Sequence, residues 1–231
     1  MESAAPSPSL ATLLGDWRIQ LQHWAASGAF TMAALEALQL SQVPTQAPTA
    51  LLQLTAQLVA GDTAALPAVE LLPAEAMGGA LGAYAISTGT IYLNASWLQS
   101  ANQAQVLAVL TEELGHHLDG LLNSRDTPGD EGELFAALLL GQALTAEQLA
   151  TLRAEDDRGV VQVNGVAVAV EQAATVQVAL SPVATVTEDG PESLHVVFSR
   201  TGDVSAALTV NFAVAGSAGV NDRDTQVPEL G

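Results

Sequence analysis

The chain has 231 residues, of which 49% are hydrophobic and 13% charged, so it is too apolar to be disordered and long enough for one large or two small cores. Its 25 acidic residues against 6 basic residues, all arginine, give a net charge of −19, which disfavours nucleic acid and anionic lipid as partners. Cysteine is absent, so any metal must be bound by histidine, aspartate or glutamate.

The N-terminal region, residues 1–60, is expected to be helical and to carry no chemistry. Leucines and tryptophans from Leu10 to Trp24 follow helical spacing, a second helix is expected after a Thr31 cap, and prolines separate a third helix at 50–59. His23 has no partner one turn away and is expected on a helix surface. The first residues lack the basic and apolar regions of a Sec signal peptide, and no apolar run is long enough for a membrane span.

Residues 61–172 predict a mixture of strands and helices. Residues 83–86 and 90–93 are predicted to form a hairpin after a strand at 69–72, and Asn164-Gly165 predicts a second hairpin between 160–163 and 166–170. Helices are predicted at 102–122, with Asn102 as the cap, and at 131–140 and 146–154. The overall fold class is therefore α+β.

Residues 176–231 predict an antiparallel β-sandwich. Alternating apolar residues at 194–198 and 208–212 are typical of half-buried strands, but the strands are too few to close two sheets. We expect the chain to be part of a longer protein or to be completed by another element.

The chemistry-bearing segment is Leu110-Thr-Glu-Glu-Leu-Gly-His-His-Leu-Asp119. Glu112, His116 and Asp119 fall on one face of the predicted helix, and five leucines from Leu107 to Leu121 on the opposite one. A carboxylate and an imidazole one turn apart can hold a divalent cation by two points. A third ligand must come from elsewhere, and Glu131 and Glu133 on the next helix are the best-placed candidates. The alternative is a solvated helix face supported by Glu-His pairs.

The order of GAYAISTGTIYLN, QAQVLAVLTEELGHHLDG and GDEGELFAALLLG resembles the catalytic core of gluzincin-type zincin metallopeptidases. In that family an edge-strand hairpin precedes a His-Glu-x-x-His helix, and a glutamate on the second helix stands four residues before Phe-Ala. The resemblance implies that Glu113 is the general base, and that His116 and Glu131 are metal ligands. Glu112 replaces the first histidine, which makes the ligand set more anionic. Such a set binds zinc less selectively, so that manganese or calcium could take its place, and it makes the metal a weaker Lewis acid.

Two resemblances imply an extracellular context. Residues from about 60 to 172 are similar to a module of large cyanobacterial cell-surface or secreted proteins that carry calcium-binding repeats. Residues 176–231 resemble the first half of a Calx-beta domain, which implies calcium ligands at Glu188, Asp189, Asp222 and Asp224. The chain is therefore expected to be secreted or on the cell surface.

These observations lead to one functional hypothesis and one alternative. The first is a metal-dependent peptidase of residues 61–172 that cleaves a peptide or protein substrate, the parent chain being one candidate, inside a calcium-binding multidomain protein. The alternative is a catalytically inactive zincin-like scaffold in a Calx-beta adhesion or surface protein. Asp156 and Asp157 could form another cation site, although a charged turn before a hairpin is the commoner explanation.

Overall fold

The computed structural model describes residues 9–40, 49–172, 176–181 and 195–200, which form an α+β fold. The helices are Leu10–Ser27 (α1), Ala29–Ala37 (α2), Thr49–Val59 (α3), Ala95–Leu98 (α4), Gln103–Leu122 (α5), Glu131–Leu139 (α6) and Ala146–Leu152 (α7). The strands are Ala68–Leu72 (β1), Gly82–Ala85 (β2), Thr90–Asn94 (β3), Arg158–Val163 (β4), Val166–Glu171 (β5), Val176–Ser181 (β6) and His195–Arg200 (β7). No helix in these ranges is both long and apolar enough to cross a bilayer.

Local sequence signals account for most helix boundaries. Asn102 and Gln105 form a reciprocal capping box at the start of α5, as expected from the Asn102 cap. The predicted start of α2 after Thr31 is wrong, because α2 begins at Ala29. Gly28, at φ 82°, ends α1 and starts α2 in a conformation that favours glycine, whereas Thr31 lies inside α2 and pairs its hydroxyl with Thr55 at 3.1 Å.

A five-stranded sheet of order β1-β3-β2-β5-β4 lies at the centre of the described fold. Strand β1 pairs with β3 in parallel, and the other pairings are antiparallel. The hairpins at 82–94 and 158–171 are present as predicted. The first hairpin does not lie at the sheet edge, however, because β3 pairs with β1 on its far side and Tyr84 of β2 pairs with Glu171 of β5. This position brings the end of β5 toward the helices.

One large hydrophobic core includes residues of α1, α2, α3, α5 and α6 and one face of the sheet. Trp17 of α1 donates its indole N–H to Thr111 of α5 at 3.2 Å. Phe30 of α2 packs edge-on against Phe135 of α6, with ring centroids 5.5 Å apart. The N-terminal helices and the motif helix therefore share a core. The expected domain boundaries at about 60 and 175 stay predictions.

The leucine face of α5 follows the predicted pattern only in its middle. Leu110, Leu114 and Leu118 are fully buried, but Leu121 is 50% exposed, so its expected place in the core is wrong. The opposite sheet face packs on a smaller cluster that contains Met77, Ala83 and Tyr92. Strands β6 and β7 pair separately as a two-stranded antiparallel sheet.

Candidate metal centre

A close crossing of α5 and α6 positions the polar face of the motif helix. A Cβ atom on Gly115 of α5 would lie 2.7 Å from Cα of Gly132 in α6, so the crossing requires glycine at this point. One residue further along α5, the ring of His116 lies against Gly132, where a Cβ would be 2.4 Å from Nε2. The sequence Gly115-His116 thus brings the imidazole onto the first turn of α6.

His116 is the centre of a group of carboxylates that come from three other parts of the chain. Its Nδ1 lies 2.9 Å from Oε1 of Glu131, 3.5 Å from Oδ2 of Asp157 and 3.6 Å from Oε2 of Glu171. Glu131 begins α6, Asp157 precedes β4 and Glu171 ends β5. We call these four residues the inner cluster. Its members belong to separate elements, so a ligand held among them would join those elements.

The inner cluster is closed to solvent and poorly paired. His116 is 0% exposed, and Glu131, Asp157 and Glu171 are 2%, 4% and 7% exposed. Glu131 Oε2, Asp157 Oδ2 and Glu171 Oε2 have no hydrogen-bond partner. Buried carboxylate oxygens without partners are costly, so such convergence favours a site for a bound cation.

The pKa shifts in the inner cluster agree with a site for a bound cation. Burial alone would lower the pKa of His116, but the hydrogen bond and charge of Glu131, with the charges of Asp130 and Glu113, raise it well above its usual value. Burial raises the pKa of Asp157 to about 8 and that of Glu171 to about 7, although the positive charge of His116 opposes both shifts. Burial likewise raises the pKa of Glu131. Within the inner cluster, the imidazolium of His116 is the one positively charged group beside these carboxylates.

The sequence-predicted ligands lie on two sides of the imidazole. His116 and Glu131 are in direct contact, as stated above. Glu112, partly buried, instead groups with Asp130 and His116, with ligand atoms within 4.8 Å of one another. Asp130 Oδ1 lies 3.8 Å from Nε2 of His116, whereas Glu131 lies at Nδ1. Glu112 and Glu131 therefore belong to different groups of candidate ligands.

Glu113, the predicted general base, lies one turn before His116 and is 1% exposed, with both carboxylate oxygens unpartnered. Strand β2 passes close to it, since a Cβ on Gly82 would be 2.5 Å from Glu113 Oε1. Burial raises the pKa of Glu113 to about 8; the charge of His116 lowers it, and Asp130, Glu171 and Asp157 raise it. Its carboxyl group is thus held beside the cluster without a competing partner.

Asp157, Glu171 and Asp130 are the site residues that the sequence reasoning missed. The sequence offers Asp156 and Asp157 as a cation site of their own or, more commonly, as a charged turn; only Asp156 is exposed, and Asp157 instead lies beside His116. Glu171 is an acidic residue at the end of an apolar strand, which was the available signal for a buried carboxylate. Asp130 caps α6 by accepting the Glu133 N–H at 2.6 Å, which accounts for its position at the start of the helix but not for its contact with His116.

Asp119 and His117 of α5 form hydrogen bonds outside the inner cluster. Asp119 accepts hydrogen bonds from the Thr127 N–H at 3.1 Å and from the Asn123 amide at 2.7 Å, which fixes the loop between α5 and α6. His117 pairs its Nδ1 with the Tyr84 hydroxyl at 2.9 Å. His23 is exposed, as expected, and His195 is exposed as well. The predicted calcium ligands Glu188, Asp189, Asp222 and Asp224 lie outside the described residues.

Comparison of the chain with protein-family models, with curated proteins and with solved structures finds no match.

Proposed function

We propose that this protein binds a divalent transition metal ion, zinc or manganese, through the inner cluster, and that the ion stabilises the fold. The observation that carries the proposal is the approach of three buried carboxylate oxygens to within 2.9–3.6 Å of His116 Nδ1. Ligands about 2.0–2.2 Å from a tetrahedral zinc ion are separated from one another by about 3.3–3.6 Å. The Asp157 and Glu171 oxygens, at 3.5 and 3.6 Å, have this spacing from Nδ1, and the shorter Glu131 contact is a hydrogen bond that a metal ion would replace. The ligand atoms of His116, Glu131 and Asp157 also lie within 4.8 Å of one another.

The ligand types support the choice of metal. One imidazole nitrogen and three carboxylate oxygens suit zinc and also harder ions such as manganese. The burial of every ligand supports a structural role, because structural sites are closed whereas catalytic sites keep an open position. In this role the ion would link α5, α6, the segment before β4 and the end of β5.

The test compares metal content and thermal unfolding of the wild-type protein, Asp157→Asn and the adjacent exposed control Asp156→Asn. We expect the wild type and the control to retain about one zinc or manganese ion per chain, and Asp157→Asn to lose it. At a metal concentration of about 100 Kd, binding adds about 2.7 kcal/mol to the free energy of unfolding, which Asp157→Asn should not gain.

A chelator separates loss of a ligand from simple misfolding. In metal-free protein at pH 7 the raised pKa of Asp157, about 8, leaves its carboxyl largely protonated, so Asp157→Asn replaces one neutral group with another of the same size and should unfold at about the same temperature as the wild type. Equal metal content and an equal metal-dependent gain in all three proteins would contradict the proposal.

A second candidate function is metal-dependent peptide hydrolysis with Glu113 as general base. The specific observation in its favour is the unpartnered Glu113 carboxylate beside the inner cluster, at the position that the zincin resemblance assigns to the base. A bound metal would polarise a water molecule and the peptide carbonyl, and Glu113 would accept the proton of that water. The sequence resemblances support a secreted or cell-surface, calcium-binding parent protein for either function.

Glu113→Gln distinguishes the two candidates. If the protein is a peptidase, this variant should keep the metal and lose at least about 100-fold in cleavage of casein or of the chain itself. The exposed helix residue Glu147, changed to glutamine, is the control. Absence of cleavage by the wild type, or equal cleavage by wild type and Glu113→Gln, would exclude this hydrolytic mechanism and leave the metal-binding proposal intact.

A further inference from the structure

We infer that a second, oxygen-rich cation position lies on the Nε2 side of the His116 ring, centred on Asp130, and that it binds calcium. Two groups of candidate ligand atoms meet at Asp130, one with Glu112 and His116 and the other with Glu133 and Glu155. Within each group the ligand atoms lie within 4.8 Å of one another. We call Glu112, Asp130, Glu133 and Glu155 the outer cluster. It shares no carboxylate with the inner cluster.

The independent observation is the state of one buried carboxylate at this position. Asp130 is 1% exposed, and its Oδ1 accepts the Glu133 N–H, whereas Oδ2 has no partner. Oδ1 also lies 3.8 Å from Nε2 of His116, which carries a proton when Nδ1 binds the inner metal and so is not a ligand of this cation. A helix cap alone explains one oxygen of Asp130 but leaves the other unaccounted for. A cation between Asp130 and its acidic neighbours would occupy it.

The chemistry of the outer cluster differs from that of the inner one. Four carboxylates supply only oxygen ligands, and Glu133 is exposed while Glu112 and Glu155 are partly buried. Calcium takes 6–8 oxygen ligands, including waters, so a partly open all-oxygen site suits it better than a closed nitrogen-containing one. Glu112 comes from α5, Asp130 and Glu133 from the start of α6, and Glu155 from the segment after α7. Calcium would therefore join these three segments.

Asp130→Asn tests the inference, because asparagine is as good a helix cap as aspartate but removes the charge. Calcium binding is measured by equilibrium dialysis on zinc-loaded protein, with Glu133→Gln as a second variant and Glu147→Gln as the exposed control. We expect Asp130→Asn to bind one calcium ion fewer than the wild type. Glu133→Gln should bind that ion with an affinity at least about 10-fold lower, and both variants should retain zinc. Calcium bound by the predicted C-terminal acids is equal in all variants and cancels in the comparison.

Three results separate this inference from the proposed inner site. Loss of calcium in Asp130→Asn with zinc retained supports two positions. Equal calcium binding by wild type, Asp130→Asn and Glu133→Gln overturns the outer position. Loss of both ions in Asp130→Asn overturns it as an independent site, because one shared centre would then explain the data. Asp157→Asn should lose zinc and keep calcium.

Discussion

The imidazole of His116 lies directly against Cα of Gly132, so that a β-carbon on Gly132 would be 2.4 Å from Nε2. This contact fixes the ring between the inner and the outer cluster. It also means that the first turn of α6 supplies the acids on both sides of the ring, Asp130 and Glu131, and the space that the ring occupies.

Gly132→Ala should displace the His116 ring and weaken metal binding. The added methyl group meets a buried ring rather than the end of a flexible side chain, so we expect a loss of about 1–3 kcal/mol in the free energy of unfolding and at least about 10-fold in zinc affinity. Urea denaturation and competition with a chromogenic chelator measure the two effects.

The matched control is Gly15→Ala in α1, where a Cβ would meet nothing within 4 Å. Alanine there should raise stability by about 0.5–1 kcal/mol through helix propensity and leave metal binding unchanged. If both glycine variants retained wild-type zinc affinity, the Gly132 contact would not be needed to hold the imidazole.

The metal-free protein should become less stable as pH rises from about 5 to about 8. The pKa values of Glu113 and Asp157 are raised from 4.5 and 3.8 to about 8, and that of Glu171 from 4.5 to about 7, so the folded state binds more protons than the unfolded state across this window. The pKa of His116 is also raised and acts in the same direction. Since one pKa unit is worth about 1.4 kcal/mol, we expect a loss of at least about 2 kcal/mol.

Urea denaturation in the presence of a chelator measures this trend, and the same series with saturating zinc is the comparison. Zinc should flatten or reverse the slope, because its ligands bind in their deprotonated forms. Stability that rises with pH in chelator would show that the buried acids are ionised at no cost, contrary to the expectation.

Phe30→Ala should destabilise the whole helical core and not only the N-terminal helices. Phe30 is fully buried and packs on Phe135, in the same helix as Glu131. We expect a loss of about 3–5 kcal/mol and a single unfolding transition in which tryptophan fluorescence and metal release coincide. Met32→Ala, on the same helix but 61% exposed, should change stability by less than about 0.5 kcal/mol. Separate melting of α1–α3 with retained metal would indicate an independent N-terminal unit.

Local patterns predicted most elements of the fold. The capping residue Asn102, the apolar spacing of α5 and the Asn164-Gly165 turn each depend on interactions between near neighbours in the chain, so the sequence alone was informative. The start of α2 differs from the prediction because Gly28, in a left-handed conformation, both ends α1 and begins α2, so that no cap at Thr31 is needed. The central position of the first hairpin was missed because pairing between Tyr84 and Glu171 joins residues far apart in sequence.

Because this sequence has no cysteine, any metal in it must be bound by histidine and carboxylates, and helical spacing with the zincin resemblance pointed to Glu112, Glu113, His116 and Glu131. Which acids face each nitrogen of His116 depends on the packing of distant elements. Asp157 and Glu171 reach Nδ1 because the β4–β5 hairpin brings both of its ends to α5, and Asp130 faces Nε2 because two glycines let α5 and α6 cross closely. The spacing of neighbouring residues does not predict such contacts, because they depend on how distant elements pack together.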